Sequence, residues 1–236
     1  MQRWVGLPYA YQTVGSAMVT RASAYAKIGG MNIRQAGEDF YFLHKFTKRW
    51  TLTDVTDTVV EPSPRTSDRV PFGTGKAVSE FFDGDVSRLT SYDPDSFTIL
   101  KKWVYNIEHR INISDTANPY LSGDKCLDEF LLGQEHKSVI DSFIRSTSST
   151  EGRLKKFYAW FDAFKLFKYL HYARDNGRPD IALKKCIKVL ADKMGTKLSS
   201  DKRAALDQLR QIDRDSNFSH QWRADLMARL SSTSAS

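Results

Sequence analysis

Two adjacent carboxylates, Glu38 and Asp39, follow Gly37 and open a run in which Phe42, Leu43, Phe46 and Trp50 recur at spacings of three and four. That spacing is the buried stripe of a helix, predicted over roughly 38–50. The two acids then fall in its first turn, where unpaired N–H groups and the helix macrodipole favour negative charge. A carboxylate presented there can accept a proton. The same position also suits acids that only stabilise a helix start.

Downstream, residues 62–76 hold Pro62, Pro64 and Pro71, Gly73 and Gly75, and the cations Arg65, Arg69 and Lys76. Few apolar residues interrupt them, so the segment is expected as a loop. Gly73-Thr74-Gly75-Lys76 precedes the short helical pattern Val78, Phe81, Phe82. Glycines and a lysine at a helix start can bind phosphate oxygens through backbone N–H groups. The spacing falls short of a P-loop, which excludes a nucleoside-triphosphatase reading. Each of the three cations also has the plainer reading of a solvated loop charge.

The histidines, His44, His109, His136, His171 and His220, are scattered and form no pair at metal-ligand spacing. His44 follows the acids by one turn and could face the same cleft, or serve structure alone. No Ser-centred elbow or Cys–His arrangement stands out.

The elements that must position these groups can be expected in order. Thr13 to Thr20, small and β-branched, is expected as a strand. Residues 21–28 are alanine-rich and expected as a short helix, stopped by Gly29-Gly30. A loop to Ala36 leads to the acidic helix, and 51–60 is a second expected strand, so the first region is expected to be α/β. From residue 95 onward the chain is expected to be all-α. Helices are placed at 95–112, 122–133, 135–146, 151–175, 178–194, 199–213 and 219–231, with Asp95 and Ser199 as N-caps and Gly177 and Gly195 as stops. The domains are therefore 1–94 and 95–236. The run Phe157, Trp160, Phe161, Phe164, Leu166, Phe167, Leu170 is the core stripe of a helical bundle. Its interleaved Lys155, Lys156, Lys165 and Lys168 leave a second reading open, a surface lying on a membrane.

The totals agree with a folded chain. Of 236 residues, 41% are hydrophobic and 27% charged, enough for one large domain or two small ones. No apolar run approaches bilayer-spanning length, and Met1-Gln2-Arg3-Trp4 carries no signal-peptide apolar region. Cys126 and Cys186 lie far apart and suit buried thiols in a reducing compartment. Net charge is +7, of which residues 1–76, with ten Lys/Arg and six Asp/Glu, carry +4. A basic field around the acidic pair would attract an anionic ligand such as a phosphate. Nucleic acid is disfavoured, because no long Lys/Arg run or nucleic-acid motif is present.

The first 76 residues resemble the C-terminal, acceptor-side part of a family 2 glycosyltransferase domain of GT-A fold. The resemblance rests on the order of Gly15-Ser16-Ala17-Met18-Val19, Ile28-Gly29-Gly30-Met31 and Gly37-Glu38-Asp39, followed by a helix, a strand and a basic loop. The second piece is similar to the family's glycine–glycine–hydrophobic turn, and the third to its acidic "ED" motif. The resemblance implies that Asp39 is the general base of an inverting sugar transfer, with Glu38 supporting the acceptor. It implies that Arg65, Arg69 and Lys76, with Gly30 and Met31, contact the nucleotide-sugar donor and the acceptor. It implies a divalent metal, Mg2+ or Mn2+, whose DxD ligands are not in this chain. Asp83-Gly84-Asp85 and Asp93-Pro94-Asp95 come too late in the order and read as turn and cap sequences. The Rossmann-like nucleotide half is missing and expected upstream, with Met1 internal to a longer protein. The processive QxxRW signature is also absent, so a non-processive transferase is expected.

The expected function is thus part of an inverting, non-processive transferase moving a sugar from a nucleotide-sugar to a glycan or other hydroxyl, as in polysaccharide biosynthesis. The chain alone is expected to be inactive. The alternative is a non-catalytic helical module, residues 95–236, docking to a protein partner or a membrane surface. The expected location is cytoplasmic, peripheral at the membrane under that alternative.

Overall fold

A computed structural model of the chain describes residues 1–11, 17–34, 37–47, 52–53, 55, 57–61, 74–84, 89–117 and 119–215. In chain order these form α1 (Gln2–Val5), α2 (Ala22–Lys27), α3 (Glu38–Thr47), α4 (Thr74–Phe82), β1 (Thr90–Ser91), α5 (Pro94–Asn112), α6 (Lys125–Leu132), α7 (His136–Ser146), α8 (Thr150–Trp160), α9 (Ala163–Asp175), β2 (Ile181–Ala182), α10 (Leu183–Lys193) and α11 (Lys202–Arg214). The chain is mostly helical, and the pairing of β1 with β2 is the one sheet among the described residues. Two compact units result, Met1–Ala10 with the chain from Ser91 onward, and Tyr11–Thr90.

The larger unit is built around α5. Asp93 caps it, its side chain accepting from Asp95 N–H at 3.0 Å, and Pro94 takes the first turn, where its missing N–H costs nothing. Phe97, Leu100, Trp103, Val104, Ile107 and Ile111 recur on one face and are buried. That face packs against α1, α8 and α10, while α6 packs on α7 and α9. Trp103 is the centre of an aromatic cluster, with ring centroids 5.7 Å from Phe157 and 5.1 Å from Phe161. The N-terminal strip belongs to this core. Val5 and Leu7 are buried, and Tyr9 Oη donates to the Phe161 carbonyl at 2.5 Å.

The helix expected at 122–133 starts only at Lys125, capped by Asp124, and four further boundaries differ from the sequence reading, each for a local reason. The cap of α5 is Asp93, and Asp95 lies inside the first turn. The cap of α11 is Asp201, which accepts from Ala204 N–H at 2.8 Å, while Ser199 Oγ accepts from Asp201 N–H at 3.1 Å. The expected 151–175 helix breaks at Phe161, because Asp162 turns its carboxylate onto Lys165 N–H at 3.0 Å and starts α9. The expected 178–194 helix begins only at Leu183, because Arg178 precedes Pro179 and is biased to extended backbone. Gly177 and Gly195 do stop their helices, at φ 105 and φ 66.

In the smaller unit, 17–20, 52–53, 55 and 57–60 are not in strands, although 13–20 and 51–60 were expected as strands. The remainder of both segments lies outside the described residues. A β segment forms only where a neighbouring strand takes its N–H and C=O groups. Val19, Val55, Val59 and Val60 stand half or more exposed.

Candidate functional site

Gly37 sits at φ 72, a left-handed conformation that glycine adopts without a Cβ penalty. Its carbonyl accepts the first helical bond from Tyr41 N–H at 3.2 Å, so Glu38 and Asp39 enter α3 in the first turn. Asp39 Oδ1 accepts from Phe40 N–H at 2.7 Å, one of the donors that the helix itself leaves unpaired. Both acids are partly exposed. Phe42, Leu43 and Phe46 bury the opposite stripe, with Phe42 and Phe46 edge-to-face at 5.1 Å.

The Gly29-Gly30-Met31 turn is fastened to this helix by side chains with no signal in the periodicity. Lys45 Nζ donates to the Gly30 carbonyl at 2.9 Å and to Asn32 Oδ1 at 2.6 Å. Met31 N–H donates to Tyr25 Oη at 3.1 Å, and the Tyr25 ring packs on Phe42 at 5.5 Å. Gly30 has φ 67, and a Cβ there would lie 3.0 Å from the Tyr25 ring. The left-handed backbone favours glycine, and a Cβ would press on the Tyr25 ring. The guanidinium of Arg34 lies 3.8 Å over the Tyr41 ring, placing a cation beside the acidic turn. His44 stacks on Phe40 at 5.9 Å.

Of the expected site residues, the structure brings together Gly30, Met31 and the helix bearing Glu38 and Asp39. Arg65 and Arg69 lie outside the described residues. Lys76 lies in the first turn of α4, with its side chain outside the described residues. Among the described residues no group of three or more His, Cys, Asp or Glu could hold a metal ion.

The larger unit carries two polar clusters of its own. Tyr120, with φ 56, is fully buried, and its hydroxyl lies 2.7 Å from both Asp141 Oδ1 and the Asp115 carbonyl. Lys137 Nζ donates to Asp141 Oδ2 at 2.9 Å and to the Thr116 carbonyl at 3.0 Å. Burial raises the Asp141 carboxyl, but the hydrogen bonds from Lys137 and Tyr120 outweigh it and hold the group below its ordinary range. Burial, then the Asp141 hydrogen bond, pushes the Tyr120 phenol far up. His136 faces the Pro119 carbonyl through Nε2 at 2.9 Å, which places the neutral ring's proton on Nε2. The second cluster is Arg178 on Asp124, a two-point pair whose longer arm is 3.1 Å. Asp124 also caps α6, accepting from Leu127 N–H at 3.0 Å. Burial opposes its ionisation, and the hydrogen bonds from Arg178 and Leu127 lower it overall. A shallow depression of about 450 Å³ lies beside this pair, and another of about 360 Å³ lies beside Asp141. Cys126 and Cys186 are both free thiols, Cys126 buried and Cys186 half-buried, and burial raises each.

Both clusters fix loops onto helices, and neither gathers an acid, a base and a nucleophile around one open point. Among the described residues no helix is long and apolar enough to cross a membrane. No protein-family model, no curated protein and no solved structure matches this chain.

Proposed function

We propose that the smaller unit, Tyr11–Thr90, within the expected 1–94 domain, is the acceptor-side part of an inverting, non-processive glycosyltransferase of family 2 type, with Asp39 as its general base. Asp39 takes the proton of an acceptor hydroxyl while that oxygen bonds to the anomeric carbon of a nucleotide-activated sugar. The bond from that carbon to the diphosphate oxygen breaks on the opposite face, which inverts the configuration. Arg65, Arg69 and Lys76 meet the developing charge on the departing diphosphate. Glu38 supports the acceptor. The resemblance implies that a divalent cation, Mg2+ or Mn2+, would be held by DxD residues outside this chain and would supply countercharge to the diphosphate.

One observation carries the reading. The turn at Gly29-Gly30-Met31 and the acidic turn of α3 are separated by a loop in sequence, yet Lys45 ties the Gly30 carbonyl to the helix that bears Asp39. A substrate-contacting turn and a catalytic carboxylate need such a fixed relation, because proton transfer requires the base within hydrogen-bond reach. Asp39 forms no ion pair among the described residues, and its one hydrogen bond there is to the Phe40 N–H. The solvent-exposed Val19, Val55, Val59 and Val60 are what strand sequences present when sheet neighbours are not there to cover them.

The test is Asp39→Asn in the full-length protein, assayed with a panel of nucleotide sugars and hydroxyl acceptors. Loss of the base lowers the rate by about 10²–10⁴ while circular dichroism stays native. Transfer at the unsubstituted rate refutes the assignment.

A further inference from the structure

Trp160 ends α8 and Phe164 lies in the first turn of α9, on either side of the break at Phe161 and Asp162. Phe161 is fully buried against Trp103, whereas Trp160 is only half-buried and Phe164 is 38% exposed. A lysine stands over each of the two outer rings. Lys165 Nζ lies 4.6 Å from the Trp160 centroid, and Lys168 Nζ lies 4.7 Å from that of Phe164. Lys165 also donates to Gln134 Oε1 at 2.9 Å, which joins this surface to the turn after α6, where Leu132 is 62% exposed. The face therefore combines exposed apolar side chains with cations resting on aromatic rings.

We infer that this face, Trp160, Phe164, Lys165 and Lys168 with Leu132 at its edge, docks the larger unit onto an anionic phospholipid surface. Two features favour a bilayer over a protein groove. Each ring carries its own lysine, at 4.6 Å for Trp160 and 4.7 Å for Phe164, so that the rings can enter the headgroup boundary while the ammonium groups meet lipid phosphates. The charge balance is also one-sided. Asp162 is the acid facing this pair, and its carboxylate is occupied in capping α9. Glu151, on the preceding helix, is paired with Lys155 at 2.6 Å. Burial holds Lys165 below its ordinary range against the pull of Asp162, and an anionic headgroup adds countercharge shared with Lys168. The exposed lysines of α10, Lys184, Lys185 and Lys188, have no aromatic ring under them among the described contacts and provide a control of similar charge.

The experiment is co-sedimentation of the whole chain with phosphatidylcholine vesicles, with and without phosphatidylglycerol. Binding is expected only with phosphatidylglycerol and weakens as salt rises. Each neutralised lysine lowers the partition coefficient about fivefold, so Lys165→Gln with Lys168→Gln lowers it about twenty-five-fold. Phe164→Ser weakens binding at high and low salt alike, because it removes the apolar contribution. Lys184→Gln with Lys188→Gln leaves binding within about twofold. Circular dichroism confirms that each variant is folded. No binding, equal binding to both vesicle types, or an equal loss in the α10 control overturns the proposal.

Discussion

Replacing Asp141 by Asn exchanges one oxygen for an amide and leaves the side-chain shape intact. Asp141 is 7% exposed and accepts from Tyr120 Oη at 2.7 Å and Lys137 Nζ at 2.9 Å. The Tyr120 bond falls from a charged to a neutral acceptor, a loss of about 1 kcal/mol. Lys137 is 45% exposed at its side chain, so its pair with Asp141 is screened and contributes about 0.2–1 kcal/mol. An amide N–H turned toward the ammonium adds a similar penalty, for a total near 2 kcal/mol. For a chain of this size that lowers Tm by roughly 4–8 °C. Lys137→Met removes the screened pair and the exposed hydrogen bond to the Thr116 carbonyl, and costs about 1 kcal/mol. The sign with pH follows from the direction of the shift. The folded carboxyl lies below its unfolded value, so its contribution is complete above a pH of about 4 and is lost as pH falls through the folded value. Urea unfolding followed by circular dichroism therefore shows a gap between the original chain and Asp141→Asn that closes in acid. A gap independent of pH, or a larger cost for Lys137→Met than for Asp141→Asn, refutes this reasoning.

Arg178→Gln removes the partner that holds Asp124 below its ordinary range, so the stability gained above a pH of about 4 shrinks and acid unfolding moves to higher pH, measured by urea unfolding across a pH series. Phe161→Ala empties a fully buried site between Trp103 and Phe157 and costs about 3–5 kcal/mol by the same assay. Lys45→Met cuts both bonds from α3 to the glycine turn, costs about 1–3 kcal/mol locally, and speeds amide exchange at Met31 without disturbing the larger unit. Gly30→Ala forces a left-handed Ala against the Tyr25 ring and costs about 1–2 kcal/mol, read by proteolysis of the smaller unit.

The helical region was legible because its signals are local. The apolar faces of α5 and α9 repeat every three or four residues, and the glycines that stop α9 and α10 act within one turn. The buried side chains Phe157, Phe161, Leu166 and Leu170 come from the aromatic run, which makes it chiefly core, while Trp160 and Phe164 keep an outer face. The break between α8 and α9 was hidden for a physical reason. No glycine or proline marks it, and the apolar run continues through Phe161. Only the choice of Asp162 to cap rather than to continue the helix separates the two. The misplaced caps at Asp95 and Ser199 have the same origin. Each lies two residues from the side chain that does the capping, and both acids of Asp93-Pro94-Asp95 satisfy the composition rule equally well.

The site divides along a similar line. The acidic turn was legible because glycine, two carboxylates and an apolar stripe are contiguous. What holds that turn to its neighbour was not, because the tethers run from one side chain to a backbone carbonyl fifteen positions away and to the Asn32 amide oxygen thirteen positions away. Lys45 follows Asp39 by six residues and sits on α3 like any solvated helix cation. Its ammonium becomes a structural donor only when the loop folds back to present the Gly30 carbonyl. A carbonyl carries no side-chain signature, so composition and periodicity cannot nominate its partner. Tyr25 is the same case, since its hydroxyl meets the Met31 N–H and its ring meets Phe42. Glycine at position 30 is then favoured by a ring five residues earlier in the chain, a constraint that exists only once the turn is closed. The smaller unit thus defines the relation between its two motifs with a lysine, a tyrosine and a glycine, and that relation survives here without strands among the described residues of the segments expected to flank it.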